Sequence, residues 1–142
     1  MMKITILGEP LAKQSFRFTK KGHKYQNKNV VNWAAQARLQ VINQLPKKFL
    51  PFNGPIVIQN LTFVFSLLKN MPKKTIKDIE NGLDVFKVTK PDLLDNLQKN
   101  LWDVCEGVLF INDSRIVMHS GKMKKIYGKK PRIEFEIFSL ED

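Results

Sequence analysis

The sequence has little of what disulfide-bonded, zinc-binding or membrane proteins need. One cysteine in 142 residues cannot form an internal disulfide, which excludes a disulfide-stapled secreted scaffold. Zinc sites built on cysteine pairs are excluded too, and the only two histidines, His23 and His119, lie too far apart for a two-histidine helix motif. No apolar run of about 18 residues occurs, so we predict no membrane span. With no visible signal peptide, we expect a reduced, cytoplasmic setting.

Acidic residues are also scarce, and they are unevenly placed. The chain has 24 Lys and Arg against 13 Asp and Glu, a net charge of +11. Residues 1–30 carry seven basic residues and one acidic residue, as do residues 113–132, whereas residues 91–112 carry four acidic residues and one basic residue. Such a charge is typical of proteins that bind polyanions, although a generic basic protein is the alternative. Acidic residues repel phosphate, so their concentration at 91–112 suggests a divalent metal site.

Length and composition predict one globular domain over residues 1–142. Residue alternation and turn signals predict strands at Lys3–Leu7, Ile56–Leu68, Val85–Thr89, Arg115–His119 (with a continuation towards Tyr127) and Arg132–Phe138. Apolar residues at helical spacing predict helices at Val30–Leu45, Thr75–Asn81 and from Leu97 to near Gly107. This order predicts an α+β fold, a two-layer domain with a mixed β-sheet and two main helices.

Two basic segments are candidate DNA-binding surfaces. In the first, aromatic residues interleave with the cations, a pattern that suits backbone tracking and base stacking. The second lies between the last predicted strands. The candidate side chains are Lys13, Arg17, Lys20, Lys21, Lys24, Lys122, Lys124 and Lys125. The alternatives are a hairpin whose aromatics pack on the core and a second hairpin whose lysines are merely solvated.

The acidic segment lies where a short predicted strand leads into a helix. Asp92 stands at the start of that helix, and Asp95 and Lys99 are four residues apart, so they share one helix face. Asp113 follows in a turn before the next strand, and it can come back beside the other two if the helix packs on the sheet. Carboxylate oxygens are the ligands that Mg²⁺ prefers. The alternatives need no metal: a helix cap at Asp92, an exposed Asp95–Lys99 ion pair, and ordinary turn chemistry at Asp113.

The same residues carry a resemblance to a known family. The matching motifs are Lys90-Pro91-Asp92, Asp95-Asn96-Leu97 with Lys99, Gly107, Asp113-Ser114, the opening Gly8-Glu9-Pro10 with Lys13 and Arg17, Tyr127-Gly128 and Pro131-Arg132-Ile133-Glu134. Together they resemble the RusA-type Holliday junction resolvases over most of the chain. Two features depart from the family pattern. Two residues, not one, separate Asp92 from Asp95, and Asn112 stands where a second aspartate often precedes Asp113.

The resemblance implies a RusA-like fold and a homodimeric endonuclease that cuts four-way DNA junctions with Mg²⁺, for which Mn²⁺ can substitute. It assigns Asp92, Asp95 and Asp113 as catalytic metal ligands and Lys99 as the catalytic lysine. The apolar stretches around Trp33 or Phe135 are candidates for the dimer interface. The alternative function is that of a non-catalytic basic DNA- or RNA-binding protein. Metal-dependent nicking of branched DNA separates the two.

Overall fold

A computed structural model describes residues 1–12, 17–18, 20–22, 24–25 and 28–141. Lys13 lies outside the described residues, and only the backbone is described at Arg17 and Lys24. The side-chain contacts of these three predicted DNA-binding residues are therefore outside the described structure.

The described elements form an α+β fold, as predicted. The strands are β1 (Met2–Leu7), β2 (Arg17–Phe18), β3 (Lys24–Tyr25), β4 (Ile56–Phe65), β5 (Ile116–Ser120), β6 (Lys124–Tyr127) and β7 (Arg132–Ser139). The α-helices are α1 (Lys28–Gln44), α2 (Lys73–Glu80) and α3 (Gln98–Cys105). A π-helical stretch, Leu93–Leu97, leads directly into α3, and a 3₁₀ turn, Asp113–Arg115, precedes β5.

Two details differ from the sequence-based expectation. The described residues contain three α-helices rather than two main ones, and the third, α2, is the short helix predicted at Thr75–Asn81. The predicted strand at Val85–Thr89 is reduced to a few contacts beside β6, with a single bridge between Phe86 and Ile126. Val85 and Lys87, on either side of Phe86, form backbone hydrogen bonds with Tyr127 and Lys125 of β6. The segment then leads to the acidic region.

Strand β4 is the centre of a mixed five-stranded sheet. It pairs antiparallel with β7 on one side and parallel with both β5 and β6 on the other, and β1 extends the sheet beyond β7. Eight of its ten residues are buried, the pattern of a strand covered on both faces. In β7 the buried residues Ile133, Phe135 and Ile137 alternate with half-buried ones, so one face of that strand points into the core.

Helix α1 covers the outer edge of β1. The Gln40 side chain both accepts from the Leu7 amide and donates to the Leu7 carbonyl, and Gln44 does the same for Thr5. These four bonds satisfy backbone groups that an unprotected edge strand would leave open. The order of the contacts makes α1 antiparallel to β1. Because β1 and β4 point the same way through β7, α1 is antiparallel to β4 as well.

Helix α3 also runs antiparallel to β4 and packs on the same face of the sheet as α1. The segment after α3 bonds to the chain just before β4, through the Phe52 amide and the Leu109 carbonyl. Trp102 of α3 makes edge-to-face contacts with Phe110 and with Phe135 of β7. Phe135 is 1% exposed and belongs to the core, so its own side chain is not available to a partner, and a dimer interface at the stretch around it stays a prediction. In the described part of the chain, no helix is long and apolar enough to cross a membrane.

An irregularity at Asn60 divides the strand pair on the parallel side of β4. Asn60 has a left-handed backbone (φ 54), and its side-chain oxygen accepts from the Lys122 amide, 3.3 Å away. Opposite it, Gly121 (φ +70) separates β5 from β6. A Cβ atom at Gly121 would fall 2.0 Å from the Asn60 side-chain oxygen. Glycine is therefore needed here both for its backbone angle and for the close approach.

We expect Gly121→Ala to destabilise the fold by about 2 kcal/mol more than Gly82→Ala, because only the first adds overpacking to backbone strain. Gly82 has a similar backbone angle (φ +86) but open space around it, so it is the matched control. Urea unfolding of the two variants and the wild type gives the difference. Equal destabilisation would show that the contact with Asn60 is unimportant.

Candidate active site

The acidic segment forms the exposed start of the helix that packs on the sheet. Asp92 is the residue immediately before the π-helical stretch, and Asp95 lies within it. Both side chains are exposed. Within the described chain, neither carboxylate accepts a hydrogen bond or forms an ion pair. The start of this helix therefore presents two free carboxylates to solvent.

The hydrogen bonds do not match the metal-free alternatives for these residues. Asp92 occupies the cap position with an extended backbone, but its side chain makes no cap hydrogen bond. In the later turn the capping side chain is that of Asn112, which accepts from the amide two residues on at 2.9 Å. Asp95 and Lys99 form no ion pair with each other in the described structure. Capping, pairing and turn formation thus leave the carboxylates of Asp92, Asp95 and Asp113 unused.

The helix absorbs the extra residue between the two aspartates as a π turn. The Leu97 amide donates to the Asp92 carbonyl five residues back, at 3.0 Å, and the Gln98 amide donates to Leu93 in the same way. A π turn is in effect an α-helix with one residue inserted, and such turns are frequent at functional sites. The insertion is therefore taken up locally, and α3 behind it keeps its buried face.

Asp113 lies beyond the other end of the same helix. The π-helical stretch and α3 run without a break over Leu93–Cys105, a length of roughly 18 Å at about 1.5 Å per residue. Past that end, the Asp113 amide donates to the Glu106 carboxylate at 3.3 Å. One chain thus does not bring Asp113 beside Asp92 and Asp95. Among the described residues, no three His, Cys, Asp or Glu side chains could hold one metal ion together.

The pair of Asp92 and Asp95 nevertheless suits Mg²⁺ by its donor chemistry. This ion is commonly bound through one or two protein carboxylates, and water and substrate phosphate complete its octahedron. Lys99 follows one helical turn after Asp95, exposed and without an ion-pair partner in the described chain. The helix start therefore combines two carboxylates, whose chemistry suits a metal ion, with one exposed cation.

Two lysines of β6, which the sequence suggested as DNA contacts, have partners inside the chain. The Lys124 ammonium lies 2.5 Å from the Asp84 carboxylate. The Lys125 ammonium donates to the backbone carbonyls of Thr89 and Pro91, at 2.6 and 2.7 Å. Both positive charges are therefore occupied in holding the chain segments that flank the sheet. The sequence carries a signal for this difference, since alternation puts Lys125 on the same strand face as the buried Tyr127.

Three of the other predicted DNA contacts are exposed. Lys20 and Lys21 form the turn between β2 and β3, and Lys122 follows the break between β5 and β6.

Glu9, in the opening Gly8-Glu9-Pro10 motif, has a structural role. Its carboxylate accepts hydrogen bonds from the amide and the hydroxyl of Ser66 at the end of β4. It therefore fixes the chain leaving β1 against the central strand.

Burial alters the titration of two other side chains, Cys105 and His119. Cys105 is fully buried and belongs to the core, and burial raises the pKa of its thiol far above the ordinary value. Partial burial lowers the pKa of His119 below its ordinary value, so the imidazole is neutral at pH 7.

A comparison with protein families identifies the chain. The model of the family Endodeoxyribonuclease RusA matches residues 8–138. The chain belongs to this family. It is therefore an endodeoxyribonuclease, a hydrolase that acts on DNA, and not a non-catalytic binding protein. The RusA family comprises endonucleases that resolve Holliday junctions, act on branched DNA and depend in general on a divalent metal ion. No individually curated protein matches the chain.

Deletion of Leu94 should convert the π turn into an α turn and leave the protein folded and active. The deletion restores the one-residue spacing between Asp92 and Asp95, and α-helical hydrogen bonds replace the rarer π bonds. Thermal unfolding and nicking of a four-way junction test this. The control is deletion of Asp103 from α3, which has no π turn to absorb it. That deletion should unfold the protein, because it rotates the residues on one side of it by about 100° relative to the core. Loss of folding in both deletions would contradict our interpretation of the π turn.

Proposed function

We propose that the protein is a Mg²⁺-dependent endonuclease that resolves four-way junctions or related branched DNA by paired symmetric nicks, in DNA recombination and repair or in phage DNA processing. The observation that carries this proposal is the pair of carboxylates, Asp92 and Asp95, which have no partner among the described residues and lie at the exposed start of one helix in a chain of the RusA family. Carboxylates repel DNA phosphate, so a basic DNA-cleaving chain needs a counterion between them and the DNA. A divalent metal ion supplies it.

Each residue of the site has a distinct role in this proposal. Asp92 and Asp95 hold the metal, and Mn²⁺ can take the same oxygen ligands as Mg²⁺. When bound, the ion activates water and neutralises charge on the phosphoryl oxygens. Lys99 places a positive charge where negative charge develops on the scissile phosphate or its leaving oxygen. Asp95 and Lys99 stand on one continuous helix, whereas Asp92 directly precedes it, so its position also depends on the segment that leads into the helix.

The basic side chains away from the site hold the DNA and give no chemistry. Cations on phosphate release counterions, so they set the affinity and its salt dependence, while the acidic site determines cleavage. Lys124 and Lys125 are not counted among them, because their ammonium groups have partners inside the chain. The proposed DNA contacts are Lys13, Arg17, Lys20, Lys21, Lys24 and Lys122.

A homodimer would supply the second active site that paired cuts require. Paired cuts in a junction of near two-fold symmetry need two active sites, and a two-fold dimer holds them at a fixed separation. A second copy can also bring its own Asp113 to the pair Asp92 and Asp95. Asp113 of the same chain cannot reach that pair, because it lies at the far end of the helix.

The outward face of α1 is the surface we propose for this dimer. Val31, Leu39 and Ile42 form a stripe along it and are 52%, 54% and 48% exposed. Trp33, which the sequence suggested for the interface, stands on the same helix but packs partly on the core and donates to the Glu9 carbonyl. An apolar stripe of this kind on an exposed helix marks a binding surface.

The absence of charge on this face favours a second copy as the partner. From Asn29 to Pro46 the sequence has one charged residue, Arg38, in a chain that is 26% charged. The Arg38 guanidinium donates to the carbonyls of Val104 and Asp103 at the end of α3, both at 3.1 Å. Two chains of +11 each repel, so a face that carries almost no charge favours their association. The outward face of α1 meets this condition.

The direction of helices α1 and α3 is consistent with a site that combines Asp92 and Asp95 of one copy with Asp113 of the other. Helices α1 and α3 both run antiparallel to β4, so they point the same way along the sheet. A two-fold axis perpendicular to α1 reverses this direction in the second copy. In this arrangement, Asp113 of the second copy lies at the same end of the dimer as Asp92 and Asp95 of the first copy. Packing through α1 therefore places the Asp92 and Asp95 end of one chain and the Asp113 end of the other at the same position along the helix axis.

We expect Asp95→Asn to abolish cleavage of a four-way junction while junction binding stays intact or becomes tighter, because the substitution removes a metal ligand and an anion that faces phosphate. Nicking assays with Mg²⁺ and gel-shift titrations with EDTA measure the two effects. Asp103→Asn removes the same charge from the same helix, away from the site, and should cleave normally. Cleavage by Asp95→Asn at the wild-type rate would refute the metal site.

We expect the wild type to have twice the 16.5 kDa mass of the chain in solution and Leu39→Glu to be monomeric. A carboxylate in the α1 stripe would have to be desolvated on association, which opposes the contact. Light scattering after size exclusion gives both masses. Leu83→Glu adds the same charge at a site 59% exposed on another surface and should remain dimeric. A dimeric Leu39→Glu variant would rule out α1 as the interface.

A further inference from the structure

Lys125 takes part in three hydrogen bonds, one as acceptor and two as donor, that hold the chain segment preceding the acidic helix. Its backbone carbonyl accepts from the Lys87 amide at 3.0 Å. Its ammonium donates to the carbonyls of Thr89 and Pro91, at 2.6 and 2.7 Å. Neither of these carbonyls belongs to a strand or a helix. Pro91 directly precedes Asp92, so the last of these bonds acts on the peptide group that positions the first aspartate.

Lys87 also has contacts that hold this segment in place. Its ammonium donates to the Thr89 hydroxyl at 2.8 Å and lies 5.1 Å from the centroid of the Phe65 ring and 5.3 Å from that of Tyr127. These ring faces favour a cation over them. Two lysines thus hold the segment from residue 87 to residue 91 against the end of β4 and against β6.

The Lys125 ammonium has no carboxylate partner among the described residues, although its side chain is only half exposed. An ammonium has three donors, and two of them are used by carbonyls. The neighbouring Lys124 is in the opposite situation, because its ammonium forms an ion pair with Asp84 on the other face of the strand. Adjacent lysines on one strand therefore have different roles, and only Lys125 contacts the segment leading to the acidic site.

We propose that Lys125 is a positioning residue of the active site: its ammonium, bound to the Thr89 and Pro91 carbonyls, fixes the segment that places Asp92 and begins the π turn carrying Asp95. The inference rests on the proposed function, since it takes these two carboxylates as the metal ligands. Groups that hold metal ligands in place without touching the metal themselves typically contribute 10- to 100-fold to metal affinity or activity. A loose segment would leave both carboxylates present but poorly placed for one ion.

The test compares Lys125→Met with Lys124→Met, which removes the same charge from the same strand. We expect Lys125→Met to bind Mn²⁺ about 10-fold more weakly than Lys124→Met in calorimetry without DNA, and to have a kcat on junctions lower by a similar factor. Hydrogen exchange at the Leu97 amide, which bonds to the Asp92 carbonyl, should accelerate only in Lys125→Met. Junction affinity in EDTA should be equal in the two variants.

Additional variants separate positioning from a general loss of stability. Lys125→Arg retains a cation with several donors and should recover part of the Mn²⁺ affinity. Lys125→Gln retains a donor without the charge, and it replaces Lys125→Met in the comparison if the latter does not fold. Equal Mn²⁺ affinity and equal exchange at Leu97 in the Lys125 and Lys124 variants would overturn the proposal. If the wild type cleaves no junction, the proposed function fails, but faster exchange in Lys125→Met alone would still support the positioning role.

Discussion

The pairing of β4 on both of its edges is the constraint on which the rest of the structure depends. Its buried residues can be covered on two faces only if helices pack on one side and other chain segments on the other. Antiparallel pairing with β7 brings β1 and α1 into place, and parallel pairing with β5 and β6 requires a long crossover between β4 and the last strands. That crossover contains the acidic helix. The site therefore lies within the connection that a parallel pair requires.

The lysines of this basic protein divide into two groups with different physical roles. Lys87, Lys124 and Lys125 have partners within the chain and hold the crossover against β6. Lys20, Lys21 and Lys122 are exposed, and there a positive charge is available to phosphate. Net charge alone cannot make this distinction, because it counts every ammonium equally. Hydrogen-bond partners and burial do make it, and they show that the Lys125 ammonium is bound to the Thr89 and Pro91 carbonyls, just before the acidic helix.

The π turn shows how a helix can accept a change in spacing without losing its packing. One added residue in a regular α-helix would rotate everything after it by about 100°. Here the bonds from Leu97 to Asp92 and from Gln98 to Leu93 confine the extra residue to one widened turn. Trp102, Cys105 and the other core residues of α3 keep their inward positions. A departure from the family's spacing at the aspartates is therefore compatible with the same helix and the same core.

The sequence by itself determined the α+β class, the buried alternation of Ile133, Phe135 and Ile137, and the helix with its acidic start, because periodicity and local charge are properties of neighbouring residues. It also supplied the motifs by which the family is recognised. Only the tertiary structure decided that Asp113 lies at the far end of that helix, that Phe135 is core, and that Lys125 contacts the carbonyls before Asp92. These facts depend on which strands pair and in what register. Such pairing joins residues far apart in the chain, and no local pattern encodes it.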